Sequence, residues 1–347
     1  MQPHLPPYQS MRVQSLRAFA CTLLVAYHLI GPSDDAGLKV AADSLWRQFE
    51  LLATPLRMPL FTFLSGYIYA ARRQQDWARW RPFMRRKAVR LWLPYLSLTP
   101  LYLLGQFLTG REQSLSWQAI WELYWVPHTF YWFLSALFII FLVVSAWELY
   151  RPQTTLTGWA GLFGVWWALN LLQPIEPNVL GIGNALYLGP CFLAGLMLQR
   201  YGHFWNRPPV RTLVAAAALA AYLAYMALIV IAQKTAYASH TLFLIPIGCL
   251  LSLLLIHHFP VSRWMARLGH YSYSIFLFHL FFITAARIAL TRLGITDSML
   301  LLLPGLAVGL AGPVLVEKLL RRWHWPRLVL LGQPQRPGHK PGTVALD

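Results

Sequence analysis

Five ionisable side chains, Arg17, His28, Arg57, His279 and Arg287, fall inside long apolar stretches of the sequence. A titratable or charged group at lipid depth is costly, so each is a candidate for function. Arg17 and His28 are eleven residues apart. In a helix that is three turns with an overshoot of about 20°, which puts both on one face, about 16 Å apart along the axis. Histidine titrates near neutral pH, and low-dielectric surroundings favour the neutral ring, which can take a proton from a hydroxyl. The bland alternatives are a cationic anchor at the membrane boundary for Arg17 and an interhelical hydrogen bond for His28. Arg57, counted from the opposite membrane face, reaches nearly the depth of His28. It could bind an anionic sugar, stabilise the oxyanion of a tetrahedral intermediate, or pair with Glu50 or Asp43. His279 falls near mid-membrane, where a structural hydrogen bond is its simplest use. Cys21, seven residues before His28 and nearly on its face, is a minor candidate for a covalent relay.

A second constellation is basic. Between Arg72 and Arg90 lie eight Lys and Arg residues, Arg72, Arg73, Arg86 and Arg90 among them, interleaved with Trp77, Trp80 and Phe83. Anionic lipid headgroups suit such a run. So does a polyanionic cofactor, with guanidinium forks on phosphates and an aromatic ring on a purine.

The elements that must position these groups follow from composition. Of 347 residues, 57% are hydrophobic and 12% charged, against about 45–50% and about 25% in a soluble domain. A soluble fold is excluded, and with it the nucleic-acid reading that a net charge of +17 would otherwise invite. Apolar stretches at 13–31, 51–71, 89–108, 130–149, 156–173, 183–200, 211–232, 239–257, 270–290 and 298–318 are each about long enough to cross roughly 30 Å of hydrocarbon as a helix. The expected fold is an all-α polytopic transmembrane bundle of about ten helices. Pro55, Pro59, Pro94, Pro190, Pro246, Pro304 and Pro313 interrupt several spans, which is tolerated where neighbours satisfy the freed carbonyls. Most basic residues fall in alternate loops and most acids in the others, so both termini are expected in the cytoplasm. The first span reads as a retained signal-anchor. Cys21, Cys191 and Cys249 all lie in apolar runs and suggest neither a disulfide framework nor a zinc site. The chain divides into an integral membrane domain over 1–332 and a Pro- and Gly-rich tail over 333–347, expected to be disordered.

Several of these residues stand in a familiar order. Arg17 and His28, within Ser15-Leu16-Arg17-Ala18 through Tyr27-His28, resemble an Arg-x10-His opening motif. Arg57-Met58-Pro59-Leu60-Phe61 with Leu64-Ser65-Gly66-Tyr67 resembles a second-span signature in which a histidine often stands where Arg57 does here. Arg86-Lys87-Ala88-Val89-Arg90 with Pro94-Tyr95, Tyr131-Trp132-Phe133-Leu134, Phe192 with Gly195, and Ser272-Tyr273-Ser274-Ile275 with His279 follow in order. Together they resemble the membrane-bound acyltransferase-3 family of bacterial O-acyltransferases, nearest the subgroup likened to fucose 4-O-acetylases, over nearly the whole chain.

The resemblance implies acetyl-CoA or another acyl-CoA as donor, a sugar hydroxyl on a cell-envelope glycan or lipid-linked oligosaccharide as acceptor, and no metal. It makes Arg17 and His28 essential for transfer. On that reading His28 is the general base and Arg17 positions the donor. Arg86 and Arg90, with Arg72 and Arg73, hold CoA phosphates, and Arg57, Trp132, His279, Ser65 and Tyr273 line the acceptor site. The expected location is the bacterial cytoplasmic (inner) membrane, with lipids and polysaccharide biosynthesis machinery as partners and no nucleic acid. Two rivals remain at this stage. A transporter or flippase would make no bond, but such proteins usually carry internal repeats and intramembrane carboxylates, and neither is evident here. A non-catalytic subunit of a polysaccharide export complex would lose nothing with His28.

Overall fold

Apolar residues cover every face of the longer stretches, a pattern suited to hydrocarbon, where each backbone polar group must be satisfied within the helix. The computed structural model describes residues 6–33, 36–71, 76–110, 116–127, 129–172, 178–232 and 237–334. Among the described residues there are helices and no strands. In chain order they are α1 (Pro7–Ile30), α2 (Leu45–Ala53), α3 (Met58–Ala70), α4 (Trp77–Leu108), α5 (Trp117–Trp125), α6 (Trp132–Tyr150), α7 (Leu156–Leu171), α8 (Ile182–Arg200), α9 (Gly202–Trp205), α10 (Pro208–Ala232), α11 (Tyr237–His258), α12 (Arg263–Gly269), α13 (Ser272–Arg292), α14 (Ser298–Leu320) and α15 (His324–Leu331). The tail from residue 335 onward, and Arg72 and Arg73, lie outside the described residues.

Helices run through all ten apolar stretches, and among the described residues six are long and apolar enough to cross a membrane: α1, α6, α8 with the turn before it, α10, α13 and α14. The remaining stretches depart from the expected simple spans for visible reasons. The stretch at 51–71 is broken by a 3-10 turn at Thr54–Leu56, which contains Pro55. It leaves α3 with 13 residues, about 20 Å of helix. The stretch at 89–108 is the second half of a 32-residue helix, α4, whose first half is basic. Helix α7 has 16 residues, and the apolar part of α11 runs over Phe243–His258. Exposed leucines such as Leu213, Leu219 and Leu223 on α10 and Leu300, Leu303 and Leu315 on α14 suit a lipid surround. Helix α1, by contrast, is the most enclosed of the six.

Proline explains two long-range contacts. Pro94 and Pro100 lie inside α4. Without an N–H, each frees the carbonyl four residues earlier, which here means those of Arg90 and Leu96. The Tyr273 phenol on α13 donates to the Arg90 carbonyl. The Tyr124 phenol on α5 donates to that of Leu96 at 2.5 Å.

The tightest crossing is made by glycines. A Cβ on Gly66 of α3 would stand 1.9 Å from the Phe192 carbonyl oxygen of α8, and one on Gly195 of α8 would stand 2.0 Å from that of Phe63. The helices approach because neither side carries a side chain, as small residues permit in membranes. Gly195→Ala must push α3 and α8 apart, and overpacking of this kind costs about 1–3 kcal/mol. A clearly lowered thermal midpoint in detergent is expected; an unchanged midpoint would show that the crossing is looser than this.

Near the ends of α3, α6 and α8 a buried ion pair closes the bundle. Arg200 Nη2 meets Glu148 Oε1 at 2.6 Å, and Tyr69 donates to Glu148 Oε2 at 2.6 Å. Burial of both charges is tolerable because they are paired and hydrogen-bonded.

Candidate functional site

Two helices set the site. Cys21 on α1 donates its thiol to the Ser272 carbonyl at the start of α13, 3.5 Å away, and the helices run parallel from there. Seven residues further along each, two turns or about 10 Å, stand His28 and His279 at the same height. Their ring centroids are 5.1 Å apart. Phe130, just ahead of α6, closes the group at 6.0 Å from His28 and 5.4 Å from His279. Tyr27 packs edge-on against His28 at 4.8 Å.

His279 is fully buried, and its Nδ1 lies 2.9 Å from the carbonyl oxygens of both Ile275 and Phe276. Carbonyls only accept, so Nδ1 carries the proton, and in the neutral ring Nε2 keeps its lone pair. That Nε2 is buried without a hydrogen-bond partner. Unsatisfied buried acceptors are rare and call for an explanation. The hydrogen bond foreseen for His279 exists, yet it uses one nitrogen and leaves the other for a ligand.

Arg57 sits on the Tyr27 ring, its guanidinium carbon 3.7 Å from the centroid, and donates to Thr54 Oγ1 at 2.8 Å. It acts electrostatically on His28, in keeping with the depth expected from its position. Glu50 takes its salt bridge from Arg47 at 2.8 Å; Arg57 acts on it at longer range. Burial pushes the Glu50 carboxyl up to about 7.

At the other end of α1 the charges are basic. Arg17 and Arg90 are close enough to repel each other. Arg90 lies over the Tyr273 ring at 4.0 Å and donates from Nη1 to the Leu331 carbonyl at 3.3 Å. Glu317, which accepts from Ser274 and Arg321, also acts on Arg90. Between α12 and α13, burial and the charges of Arg17 and Arg321 lower the pKa of His270. Arg86 precedes Arg90 by one turn on the same face of α4 and is exposed. A cationic series thus runs inward from Arg86 to Arg90 and Arg17, and three helical turns separate Arg17 from His28.

The other expected site residues sit elsewhere. Trp80 donates to Ser145 Oγ at 3.0 Å and Phe83 packs on Tyr69 and Phe141, whereas Trp77 is about half exposed. Tyr273 belongs with Arg90 rather than with the histidines. Ser65 donates to the Phe61 carbonyl of its own helix at 2.9 Å. Trp132 packs edge-on against Phe133, and it is Phe130 that meets the imidazoles. Arg287 fastens the loop after α1 by donating to the Gly37 carbonyl at 2.6 Å. Cys21 is buried with its thiol given to Ser272, a spacer more than a relay. Sequence reasoning passed over Phe130, Tyr27, Glu317 and Arg321. Phe130 had a signal, standing immediately before the Tyr131-Trp132-Phe133-Leu134 motif.

Residues 12–318 match a family described as an acyltransferase domain, acyltransferase-3. The chain belongs to the acyltransferase-3 family. No curated protein and no solved structure matches it. The matched span of this multi-pass acyltransferase holds both histidines, Arg17, Arg57, Arg86 and Arg90, and it ends before α15.

Proposed function

We propose that the chain is an O-acetyltransferase of the bacterial cytoplasmic membrane. It transfers acetyl from acetyl-CoA to a sugar hydroxyl on a cell-envelope polysaccharide or its lipid-linked precursor, as in the subgroup likened to fucose 4-O-acetylases. The observation that carries this reading is the pair of facing imidazoles, His28 and His279, placed three turns beyond an arginine series that starts at the surface. On this reading the basic end faces the cytoplasm. Acyl-CoA is a substrate: its phosphates meet Arg86 and Arg90, and its pantetheine arm follows α1 past Arg17 to bring the thioester beside His28.

His28 then takes the proton of the sugar hydroxyl, and the oxygen attacks the thioester carbonyl. Arg57 steadies the resulting oxyanion. When the C–S bond breaks, the CoA thiolate recovers the proton from His28, so the ring ends as it began. His279, with Nδ1 tied to the backbone, offers Nε2 as acceptor to a neighbouring hydroxyl of the same sugar and so holds the reacting one for His28. Aromatic rings around both histidines exclude water, which would otherwise compete for the thioester.

The decisive measurement is mass spectrometry of envelope glycans from a deletion strain, its wild-type complement and a His28→Ala complement. Loss of a mass equal to one acetyl on deletion, restored by the wild type alone, is expected. Identical glycans in all three would refute the reading. An unmodified but mislocalised glycan would favour a flippase instead.

A further inference from the structure

Helix α15 lies beyond the matched domain, yet it touches Arg90, the middle member of the cationic series. It runs beside α4 over residues 89–97. In its last turn the Val329 carbonyl accepts from Ser97 Oγ at 2.9 Å. Two residues on, the Leu331 carbonyl accepts from Arg90 Nη1 at 3.3 Å, and the Leu331 side chain is fully buried. Gly332 then turns the chain with φ +59°, and a Cβ there would stand 2.5 Å from the Val89 carbonyl oxygen and 2.7 Å from Arg90 Cα. Glycine is required twice over at this position, for its backbone conformation and for the close approach.

Arg90 is therefore held from three directions. Its ring partner is Tyr273 on α13, its backbone carbonyl is taken by the Tyr273 phenol, and its Nη1 is taken by α15. A guanidinium has five N–H groups in a rigid fork, and one of them is used to fix its plane. Fixing a long side chain before binding removes an entropic cost that a phosphate would otherwise have to meet.

We propose that α15 and Gly332 form a positioning clamp that sets the Arg90 guanidinium for a phosphate of the donor's nucleotide end. The proposal rests on the reading of the donor as an acyl-CoA. Gly332 and Leu331 act through Arg90 and touch no reacting atom, so the clamp governs donor affinity. The chemical step at His28, three turns beyond Arg17, is untouched.

The test uses full-length protein in detergent or nanodiscs, with free CoA for calorimetric binding and with acetyl-CoA and S-acetylpantetheine as alternative donors. Gly332→Val is expected to weaken CoA binding and raise the KM for acetyl-CoA about tenfold, the range of one charge-assisted hydrogen bond, with kcat within about twofold. Its KM for S-acetylpantetheine, which lacks the nucleotide phosphates, stays at the wild-type value. Ser97→Ala removes the second tie on the last turn of α15 without adding bulk and is expected to give a weaker effect of the same pattern, about threefold; it decides the matter if the valine variant does not fold. Equal losses with both donors would show a merely structural role and overturn the clamp, as would unchanged constants with both. A wild-type protein that binds no CoA would overturn the acyl-CoA reading itself, a result distinct from an unaffected variant of a wild type that does bind.

Discussion

Replacing His28 by alanine is expected to lower the acyl-transfer rate by about two to four orders of magnitude, the span usually lost with a positioned general base. The protein should still insert, because His28 contributes ring contacts rather than a backbone-satisfying bond. Transfer of labelled acetyl from acetyl-CoA in isolated membranes measures the effect, normalised to the amount of inserted protein. His279→Ala should cost less, since it removes the group that holds the acceptor and leaves the base in place. If His28→Ala retained the wild-type rate while His279→Ala lost it, the roles of the two rings would be reversed; if both retained it, the imidazole pair would have no part in the chemistry.

Arg17→Ala is expected to cut kcat/KM for the donor by about a hundredfold, the upper range for losing a hydrogen bond from a charged group that anchors a ligand. The same change should leave the thermal midpoint equal or higher. Arg17 and Arg90 are neighbouring, partly buried cations, and like charges held close together destabilise the ligand-free fold. A catalytic loss with no loss of stability is the signature of a site built for a ligand's charge. Should the midpoint fall along with activity, Arg17 would instead be a structural anchor, the alternative its position near the membrane boundary also allows. Arg17→Lys should recover little, because an ammonium lacks the planar fork.

Much of this site could be read along the chain, and the rest could not, for reasons of distance. The common face of Arg17 and His28 needed only the helical repeat, and the depth of Arg57 needed only a count from the span end. The pairing of Arg86 with Arg90 followed from a four-residue spacing once that segment was known to be helical. What joins His28 to His279 is different. Their equal height depends on the start of α13 lying beside Cys21 and on Gly269 of α12 meeting the Gln14 carbonyl, where a Cβ would stand 1.9 Å away. No local pattern announces a contact between positions some 250 residues apart.

Pro55 marked an interruption of its apolar run, but a proline alone does not tell a bent helix from a broken one, and at Thr54–Leu56 the helix breaks. Arg287 shows the reverse error. An arginine in an apolar stretch suggested chemistry, and it serves a loop carbonyl.

The hydrogen bond from Tyr273 to the carbonyl that Pro94 cannot answer also acts as a latch. Sliding α4 past α13 by even one turn would strand a peptide oxygen in oil, a penalty of the kind that keeps membrane helices in register. The floor under Arg90 and the rod that bears His279 must therefore travel as one piece. Any opening that admits a large donor has to come from the other helices, and α1, with Arg17 and His28 on its single face, is the wall that faces this rigid slab.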